Sequence, residues 1–435
     1  MSQNIGSLLM PPASLEELDI SQGIVIEIML RLLFLEGDTS ATRFEEVVGL
    51  PFKVVDELLV HLQQEHLIEV PRSTGRLGRR SYLYSITEEG KARARDALER
   101  TQYVGPAPAP LEKYNKAILW QAHRDRVSPD RVKEALSHLI LAPNFDRRIG
   151  PALNAGTSLF LYGPPGNGKT TIAQAIAMLV AGAEPVWLPY AITIAGQIIQ
   201  LHDPLVHRKV TTDNASQTNH DQRWGLFRRP VVITGGELKL DSLDLRLDPV
   251  AKFYEAPLQM KANSGMFLID DFGRQQMRPT DLLNRWIVPL ETEIDLFRLQ
   301  TGQTFQTPFK QLIVFSTNLD PEDLVDDAFL RRIHIKVEVG SPDEKMFYRL
   351  FATMCHQLNI PFDKDSFLHL LREWYQKPGR TLQSVHPRDV LKGVVALCEY
   401  EGLSKRLSPA LIDEACRSYF VQPQNKTNLA APSME

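Results

Sequence analysis

Eight consecutive residues, GPPGNGKT, constrain the fold of this 435-residue chain more than any other feature. They run from Gly163 to Thr170 and match the phosphate-binding pattern G-x-x-x-x-G-K-[ST]. The buried-strand pattern SLFLY precedes them and the apolar helix pattern TIAQAIAMLV follows, which is the order that a phosphate loop requires. Glycines let backbone N–H groups turn towards an anion, and the following helix points its positive dipole there. The stretch therefore predicts a nucleotide-binding α/β domain.

The pattern assigns chemistry to individual residues of the loop. Lys169 is expected to reach the β- and γ-phosphates of ATP, and the Thr170 hydroxyl is expected to bind Mg²⁺. The remaining residues expected to bind the nucleotide are Gly163, Pro164, Pro165, Gly166, Asn167, Gly168 and Thr171. ATP and Mg²⁺ are therefore the predicted cofactors.

A second pattern, GMFLIDDFGR at residues 265–274, ends a short apolar run in two adjacent aspartates. Such a run is typical of a strand buried on both faces. Two neighbouring carboxylates at its end repel each other unless a cation is present. Asp270 fits the carboxylate that holds Mg²⁺ through water, and Asp271 is suited to orient the water that attacks the γ-phosphate.

Together, GPPGNGKT and FLIDDF resemble the AAA+ ATPase family, and three further segments match its motifs in order. Asn318, at the end of QLIVFSTN, matches the sensor-1 residue, a second contact to the attacking water. Arg332 in DDAFLRRIHIKVEV matches the arginine finger that reaches a neighbouring subunit, with Arg331 as the alternative. Arg388 in VHPRDVLKG matches the sensor-2 arginine. The resemblance covers residues 115–421 and implies a homo-oligomeric ring, with a hexamer as the expected size.

One position departs from the family pattern. The water-activating residue is usually Glu, whereas Asp271 is shorter by one methylene. ATP binding is therefore a firmer expectation than fast hydrolysis. The segment IDLFRLQTGQTFQTPF predicts a β-hairpin that resembles the pre-sensor-1 insertion of MoxR-type ATPases and of the Holliday-junction branch-migration motor. A plain surface hairpin is an equally open interpretation.

Shifts in composition predict the domain organisation. The predicted units are a flexible arm at 1–14, a winged helix-turn-helix domain at 15–103, a Pro/Ala linker at 104–114, the AAA+ α/β domain at 115–339, a helical lid at 340–421 and a disordered tail at 422–435. Alternating Pro and Ala in the linker predict a stiff, extended spacer. The strand and helix patterns that alternate after it predict a parallel sheet with helices on both faces.

The N-terminal unit resembles a winged helix because three helix patterns precede a hairpin pattern and a last helix. Residues 1–105 hold 11 Lys and Arg against 16 Asp and Glu, and the helix expected to enter a DNA groove is mostly acidic. The predicted wing is basic and carries Arg72, Arg76, Arg79 and Arg80. DNA binding through the wing and docking to a protein both stay open.

Composition excludes several classes of protein. The formal net charge of −4 argues against a surface coated for nucleic acid, and no apolar run reaches the ~18 residues of a membrane span. We expect a cytoplasmic protein whose three widely spaced cysteines are buried thiols. The loop HDPLVHR offers His202, Asp203 and His207, but we favour a polar loop because one short loop rarely supplies a closed metal shell.

Two functions remain open from the sequence. The first is an ATPase that remodels a protein complex, or a protein–nucleic acid complex, recruited by the N-terminal domain, with a client that the sequence does not name. The second is an ATP-switched DNA-binding regulator or replication-type factor with slow hydrolysis. Hydrolysis stimulated by DNA would favour the second, and a co-purifying protein would favour the first.

Overall fold

The computed structural model describes residues 5–73, 78–122, 127–156, 158–210, 220–324 and 330–420. Its helices are α1 Ile5–Leu8, α2 Gln22–Glu36, α3 Ala41–Val48, α4 Phe52–Gln64, α5 Glu88–Arg100, α6 Leu111–Gln121, α7 Pro129–Leu136, α8 Phe145–Ala155, α9 Lys169–Ala181, α10 Leu258–Lys261, α11 Pro279–Thr292, α12 Pro321–Leu324, α13 Glu344–Gln357, α14 Lys364–Leu370, α15 His386–Tyr400 and α16 Pro409–Tyr419. Its strands are β1 Thr39–Ser40, β2 Ile68–Ser73, β3 Tyr82–Ile86, β4 Ala109–Pro110, β5 Ser158–Tyr162, β6 Val186–Pro189, β7 Ala191–Ile194, β8 Gln197–Gln200, β9 Trp224–Phe227, β10 Val231–Thr234, β11 Arg246–Leu247, β12 Tyr254–Glu255, β13 Met266–Ile269, β14 Ile294–Arg298, β15 Thr304–Pro308, β16 Leu312–Thr317 and β17 Ile335–Glu338.

The central layer is a five-stranded parallel sheet in the order β10, β13, β16, β5, β17. The strand before the phosphate loop, β5, is separated by β16 from β13, the strand that ends in the two aspartates. Because parallel strands carry their carboxyl ends to one edge, the loops after β5, β13 and β16 meet there. The sheet order therefore gathers the predicted site residues on one rim.

Alternate side chains of the central strands face two different helical layers. Leu159 and Leu268 pack in one core with α7, α8 and α9. Phe160 and Phe267 face the other side, where they join the core around Trp286 of α11. The side-chain period of two in a strand explains how these nearly continuous apolar runs serve both layers. The predicted fold class, an α/β P-loop core with a parallel sheet and helices on both faces, is confirmed.

A second sheet and a separate hairpin lie outside this core. The second sheet has the order β11, β12, β8, β7, β4, and its strands β7 and β8 are antiparallel neighbours. The hairpin predicted before the sensor-1 strand is also confirmed, as β14 and β15. Its inner residues Phe297 and Phe305 are buried, and Asn115 of α6 donates a hydrogen bond to the carbonyl of Gln306 at 3.0 Å. The hairpin is therefore packed on one face, and its membership of the pre-sensor-1 subgroup stays a prediction.

Two expectations about the connecting segments are wrong. The Pro/Ala segment does not act as a spacer, because Ala107 and Ala109 are fully buried and Ala109–Pro110 pairs with β7 as the edge strand of the second sheet. Small alanine side chains allow this close approach, and proline is tolerated where no partner needs its N–H. The N-terminal arm is not loose over its described part, since Ile5–Leu8 is helical and Leu9 is buried beside Trp224.

The N-terminal unit combines α2, α3, α4 and α5 with a small antiparallel sheet in the order β1, β3, β2. Helix α3 is capped at its N-terminus by Ser40, whose side chain accepts a hydrogen bond from the backbone N–H of Arg43, and at its C-terminus by Gly49 in the left-handed conformation. These cap residues set the helix ends because they satisfy or release backbone groups that have no helical partner. The elements follow the predicted order, while the winged helix-turn-helix assignment stays a prediction.

The C-terminal helices α13 to α16 surround a separate apolar core. Cys355, Cys398 and Cys416 lie in that core as buried free thiols, as the sequence indicates. The predicted disordered tail at 422–435 lies outside the described residues. Across the described ranges, no helix combines the length and the apolar character that a membrane crossing requires.

Candidate active site

The phosphate loop connects β5 to α9, and its glycines adopt backbone angles that suit glycine alone. Gly163, Gly166 and Gly168 have φ values of 133°, 75° and 87°. A Cβ at Gly163 would lie 2.5 Å from the carbonyl oxygen of Val339, so any other residue would displace β17 and its extension. A side chain at any of the three positions would strain the backbone, and at Gly163 it would also clash with Val339.

Lys169 lies at the first position of α9 and is almost fully buried. Its Nζ donates hydrogen bonds to the carbonyl oxygens of Gly163 at 2.8 Å and Pro164 at 2.9 Å. Burial lowers the pKa of the Lys169 ammonium, while the charges of Asp271 and Asp270 act in the opposite direction. The ammonium thus lies inside the loop and beside two carboxylates, where a phosphate would be its strongest partner.

The two aspartates leave the carboxyl end of β13 in different directions. Asp270 Oδ2 accepts a hydrogen bond from the Thr170 hydroxyl at 2.8 Å. Asp271 adopts the left-handed backbone conformation, with φ of 48°, and is exposed. The hydroxyl and the carboxylate supply the oxygen donors that Mg²⁺ prefers, so the residues present fit that ion.

Asn318 follows β16 and contacts the second aspartate. Its Nδ2 donates a hydrogen bond to Asp271 Oδ1 at 3.2 Å. Asn318 and Asp271 therefore lie close enough to contact one small molecule together. The contact places the loop after β16 against the loop after β13, as the sheet order requires.

The C-terminal helical segment contacts the phosphate loop through backbone and side-chain hydrogen bonds. The backbone N–H of Val385 donates to the carbonyl of Gly166 at 2.8 Å, and that of Ser384 donates to Asn167 Oδ1 at 3.1 Å. Arg388 lies one turn further, in α15, and its Nε donates to Asp389 Oδ1 at 2.8 Å. The segment before α15 is therefore hydrogen-bonded directly to the phosphate loop.

A cavity of about 480 Å³ collects these residues. The sequence-predicted residues in its lining are Pro165, Gly166, Asn167, Gly168, Lys169, Thr170, Thr171, Asp271, Asn318 and Arg388. Asp270 is not in the described lining but accepts a hydrogen bond from Thr170, which is. The structure thus brings together side chains that are up to 223 positions apart in sequence, from Pro165 to Arg388.

Sequence reasoning missed the apolar wall of this cavity. The wall is formed by Leu139, Ile140, Leu141, Leu350 and Met354. The segment SHLILAP between α7 and α8 carried a signal, because its apolar residues fit neither a helix nor a strand period. Such a wall is suited to the flat face of a nucleotide base.

The two candidate finger residues lie elsewhere. Neither Arg331 nor Arg332 belongs to the described lining of the cavity. Arg332 Nη2 lies 2.6 Å from Glu291 Oε1 at the end of α11.

The loop with two histidines has protein partners in place of a metal. Asp203 pairs with Lys261 at 2.9 Å, and His207 accepts a hydrogen bond from the backbone N–H of Asp203 through Nδ1. The other ring nitrogen of His207 lies 3.0 Å from the carbonyl oxygen of Lys261. Among the described residues, no group of three His, Cys, Asp or Glu side chains could hold a metal ion.

Comparisons with known proteins give partial similarities. Residues 343–418 match the model of a domain of unknown function, DUF8689, which covers most of the C-terminal helices α13 to α16. The chain is 44% identical to Spastin from Dictyostelium discoideum over 54 residues, which are 12% of this chain, and it spans only 8% of that protein.

Two solved structures also align with much of the chain at low sequence identity. A point mutant of RuvB from Thermotoga maritima is 13% identical, with 68% of this chain and 73% of that chain covered and a TM-score of 0.35. NtrX from Brucella abortus is 11% identical, with 86% and 64% covered and a TM-score of 0.40. What each relative does is a property of that relative.

Proposed function

We propose that this chain is an ATPase of the AAA+ type that converts ATP and water to ADP and phosphate. The observation that carries the proposal is one cavity lined by Lys169, Thr170, Asp271, Asn318 and Arg388. A buried cation, a hydroxyl that is hydrogen-bonded to the Asp270 carboxylate and an exposed carboxylate line the same space. That combination suits phosphoryl transfer, in which catalysis rests on positioning and charge stabilisation.

Binding of the triphosphate falls to the phosphate loop. The Lys169 ammonium would leave the carbonyls of Gly163 and Pro164 for the β- and γ-phosphate oxygens, which are stronger acceptors. Thr170 and Asp270 would hold Mg²⁺, which when bound neutralises charge on the phosphate oxygens. The base would pack on the apolar wall of the cavity.

Hydrolysis requires a water in line with the γ-phosphate. Asp271 would accept a proton from that water as its oxygen forms the new bond to phosphorus, while the bond to the oxygen bridging the β- and γ-phosphates breaks. Asn318, already hydrogen-bonded to Asp271, would donate to the same water or to the phosphate. Since Asp is one methylene shorter than Glu, we expect slow turnover.

Arg388 and Arg332 have different proposed partners. Arg388 lines the chain's own cavity and would contact the γ-phosphate from the lid. Arg332 is held by Glu291 outside that cavity and would serve the adjacent subunit of a ring. A homo-oligomer, with a hexamer as the proposed form, completes each site.

The N-terminal unit is proposed to dock a client protein. Two of the wing arginines are paired within their own domain, since Arg79 Nε lies 2.7 Å from Asp56 and Arg80 Nη2 lies 3.7 Å from Glu45. Arg76 lies outside the described residues, and the Arg72 side chain is not described. The pairing of Arg79 and Arg80 disfavours the alternative of a DNA-binding regulator, because DNA phosphates would have to displace both carboxylates.

The test is nucleotide binding by Lys169→Ala. We expect this variant to lose binding of a fluorescent ATP analogue while its circular dichroism spectrum stays native. Lys116→Ala, which changes an exposed lysine of α6, is the matched control and should bind normally. Native affinity in Lys169→Ala would reject the assignment of the phosphate site.

A further inference from the structure

The turn that follows β13 holds the proposed water-activating residue in an unusual backbone conformation. Asp271 and Gly273 both have positive φ values, 48° and 98°. Aspartate enters this region more readily than most residues but still needs neighbouring contacts to stay there. The carboxylate of Asp271 reaches Asn318 only as long as this turn keeps its shape.

One side of the turn is fixed by the sensor-1 strand. The backbone N–H of Phe272 donates to the carbonyl of Ser316 at 2.7 Å. The Thr317 hydroxyl donates to the carbonyl of Phe272 at 2.7 Å. These contacts continue the pairing of β13 with β16 beyond the last paired residues of the sheet.

The other side is fixed by the side chain of Gln275. Its Oε1 accepts a hydrogen bond from the backbone N–H of Gly273 at 2.8 Å. Its Nε2 lies within hydrogen-bond distance of three carbonyl oxygens, those of Asp270 at 3.1 Å, Asp271 at 3.2 Å and Gly235 at 3.4 Å. Gly235 follows β10, so Gln275 also links the turn to the neighbouring strand.

We propose that Gln275 is a positioning residue for ATP hydrolysis. Its amide holds both ends of the turn, and this fixes the Asp271 carboxylate relative to Asn318 and the γ-phosphate. Gln275 is absent from the cavity lining, so it acts through Asp271 and does not touch the nucleotide. The inference rests on the proposed ATPase function.

The mechanism predicts a loss in turnover without a loss in binding. Gln275→Ala removes the acceptor for the Gly273 N–H and the donor to the three carbonyl oxygens. The turn then loses these restraints, and the Asp271 carboxylate is no longer held in one position. Misplacement of a reacting group by ~1 Å can cost about 100-fold in rate, and we expect kcat to fall at least tenfold. The KM for ATP and the Kd for ADP should stay within twofold, because the phosphate loop keeps its own contacts.

The neighbouring glutamine provides a matched control. Gln276 is exposed and follows Gln275 directly. Gln276→Ala should keep native kcat, KM and Kd. Gln275→Glu keeps an acceptor for Gly273 but loses the donor, so we expect lowered kcat there too. Native kcat in Gln275→Glu would overturn the role given to the carbonyl contacts.

A second measurement does not depend on activity. Amide hydrogen exchange at Gly273 should be faster in Gln275→Ala than in the native chain or in Gln276→Ala, because its acceptor is gone. Unchanged exchange, native kcat, or a parallel loss of kcat and nucleotide affinity in Gln275→Ala would each overturn the proposal. Absence of ATPase activity in the native chain would reject the proposed function instead, and the exchange rate would still decide whether Gln275 holds the turn.

Discussion

Two regions of the molecule hold charged side chains in different surroundings. One is the proposed nucleotide cavity, and the other is the contact of Asp19 in the N-terminal unit with Lys113 and Arg223, called the interface below. At the interface, Arg223 and Asp221 have fully buried side chains and lie 2.7 Å apart. Arg223 also lies 2.7 Å from Asp19, and Lys113 lies 3.3 Å from both aspartates. Burial acts to lower the pKa of the Arg223 guanidinium, but its hydrogen bonds to Asp221 and Asp19 raise that pKa above its ordinary value.

In the cavity, the charges keep capacity for another partner. Asp271 is exposed, and the Arg388 side chain is 51% exposed although it contacts Asp389. A buried charge that lacks a partner is costly, and the buried Asp221 and Arg223 of the interface are each other's partners. Accessible charges around a concave space can instead be completed by a ligand. The comparison separates charges that are paired within the chain from charges that the proposed nucleotide would pair with.

Arg332 tests this comparison most directly, and its replacement should have the largest effect on hydrolysis. It has a protein partner, Glu291, yet it is the proposed finger for a neighbouring subunit. Arg332→Ala should keep ATP binding and lower kcat by ~10³-fold, the scale of arginine fingers in phosphoryl transfer. Steady-state hydrolysis assays check this, and mixing with Lys169→Ala protein should restore part of the activity.

The contrasting variants are Glu291→Gln and Arg331→Ala. If Arg332 were only half of a structural pair, Glu291→Gln and Arg332→Ala would destabilise the chain alike and neither would change kcat. A loss of kcat in Arg331→Ala alone would move the finger to the neighbouring residue. Activity that is independent of protein concentration, without rescue on mixing, would exclude a ring mechanism.

Arg223 tests the other half of the comparison. Arg223→Met leaves Asp221 buried without its main partner, and we expect the free energy of unfolding to fall by about 3 kcal/mol. Nucleotide affinity should not change. Urea denaturation followed by fluorescence measures the loss, with Arg417→Met as the control, because the Arg417–Glu414 pair is exposed and worth at most about 1 kcal/mol. A weakened Kd for ATP would show that the two regions are coupled.

The sequence predicts the core well because its signals are local. A phosphate loop, a buried strand that ends in two carboxylates and a strand before Asn318 each occupy fewer than a dozen consecutive residues. Their meeting at one edge follows from the parallel sheet, which the alternation of strands and helices already predicts. The contact between Asn318 and Asp271 is therefore a result that chain order could anticipate.

The parts that sequence reasoning missed depend on contacts between distant segments. The charged cluster of Asp19, Lys113, Asp221 and Arg223, in which Asp221 and Arg223 are buried, joins residues up to 204 positions apart, and no periodicity marks them. The same reason explains the error at the Pro/Ala linker, whose burial depends on pairing with β7. Composition favoured a spacer, and tertiary packing overrode it. Gln275 escaped notice because an exposed-looking glutamine carries no pattern.

Arg388 offers a smaller effect that sharpens the distinction. If this arginine contacts the γ-phosphate, Arg388→Ala should weaken ATP binding about tenfold, the value of one hydrogen bond between charged groups. ADP lacks that phosphate and should bind with nearly native Kd. Titration calorimetry with both nucleotides checks the difference, and Lys392→Ala, an exposed change one turn along α15, is the control. Equal losses for ATP and ADP would assign Arg388 to the lid structure.

The wing arginines should give the smallest effect. Arg79 and Arg80 are paired with Asp56 and Glu45 near the surface, so replacing both with Ala should lower the free energy of unfolding by no more than about 1 kcal/mol. Because those carboxylates already neutralise them, binding of the full chain to duplex DNA should be absent at low salt and unaffected by the change. Fluorescence anisotropy with a labelled duplex measures this, and adding Arg76→Ala extends the test beyond the described residues.

The opposite outcome is equally specific. Duplex binding by the native chain that weakens at all sequences in the triple variant, with a flatter salt dependence, would mean that DNA phosphates do displace Asp56 and Glu45. Paired charges would then also be able to serve a ligand, and the N-terminal unit would act on DNA.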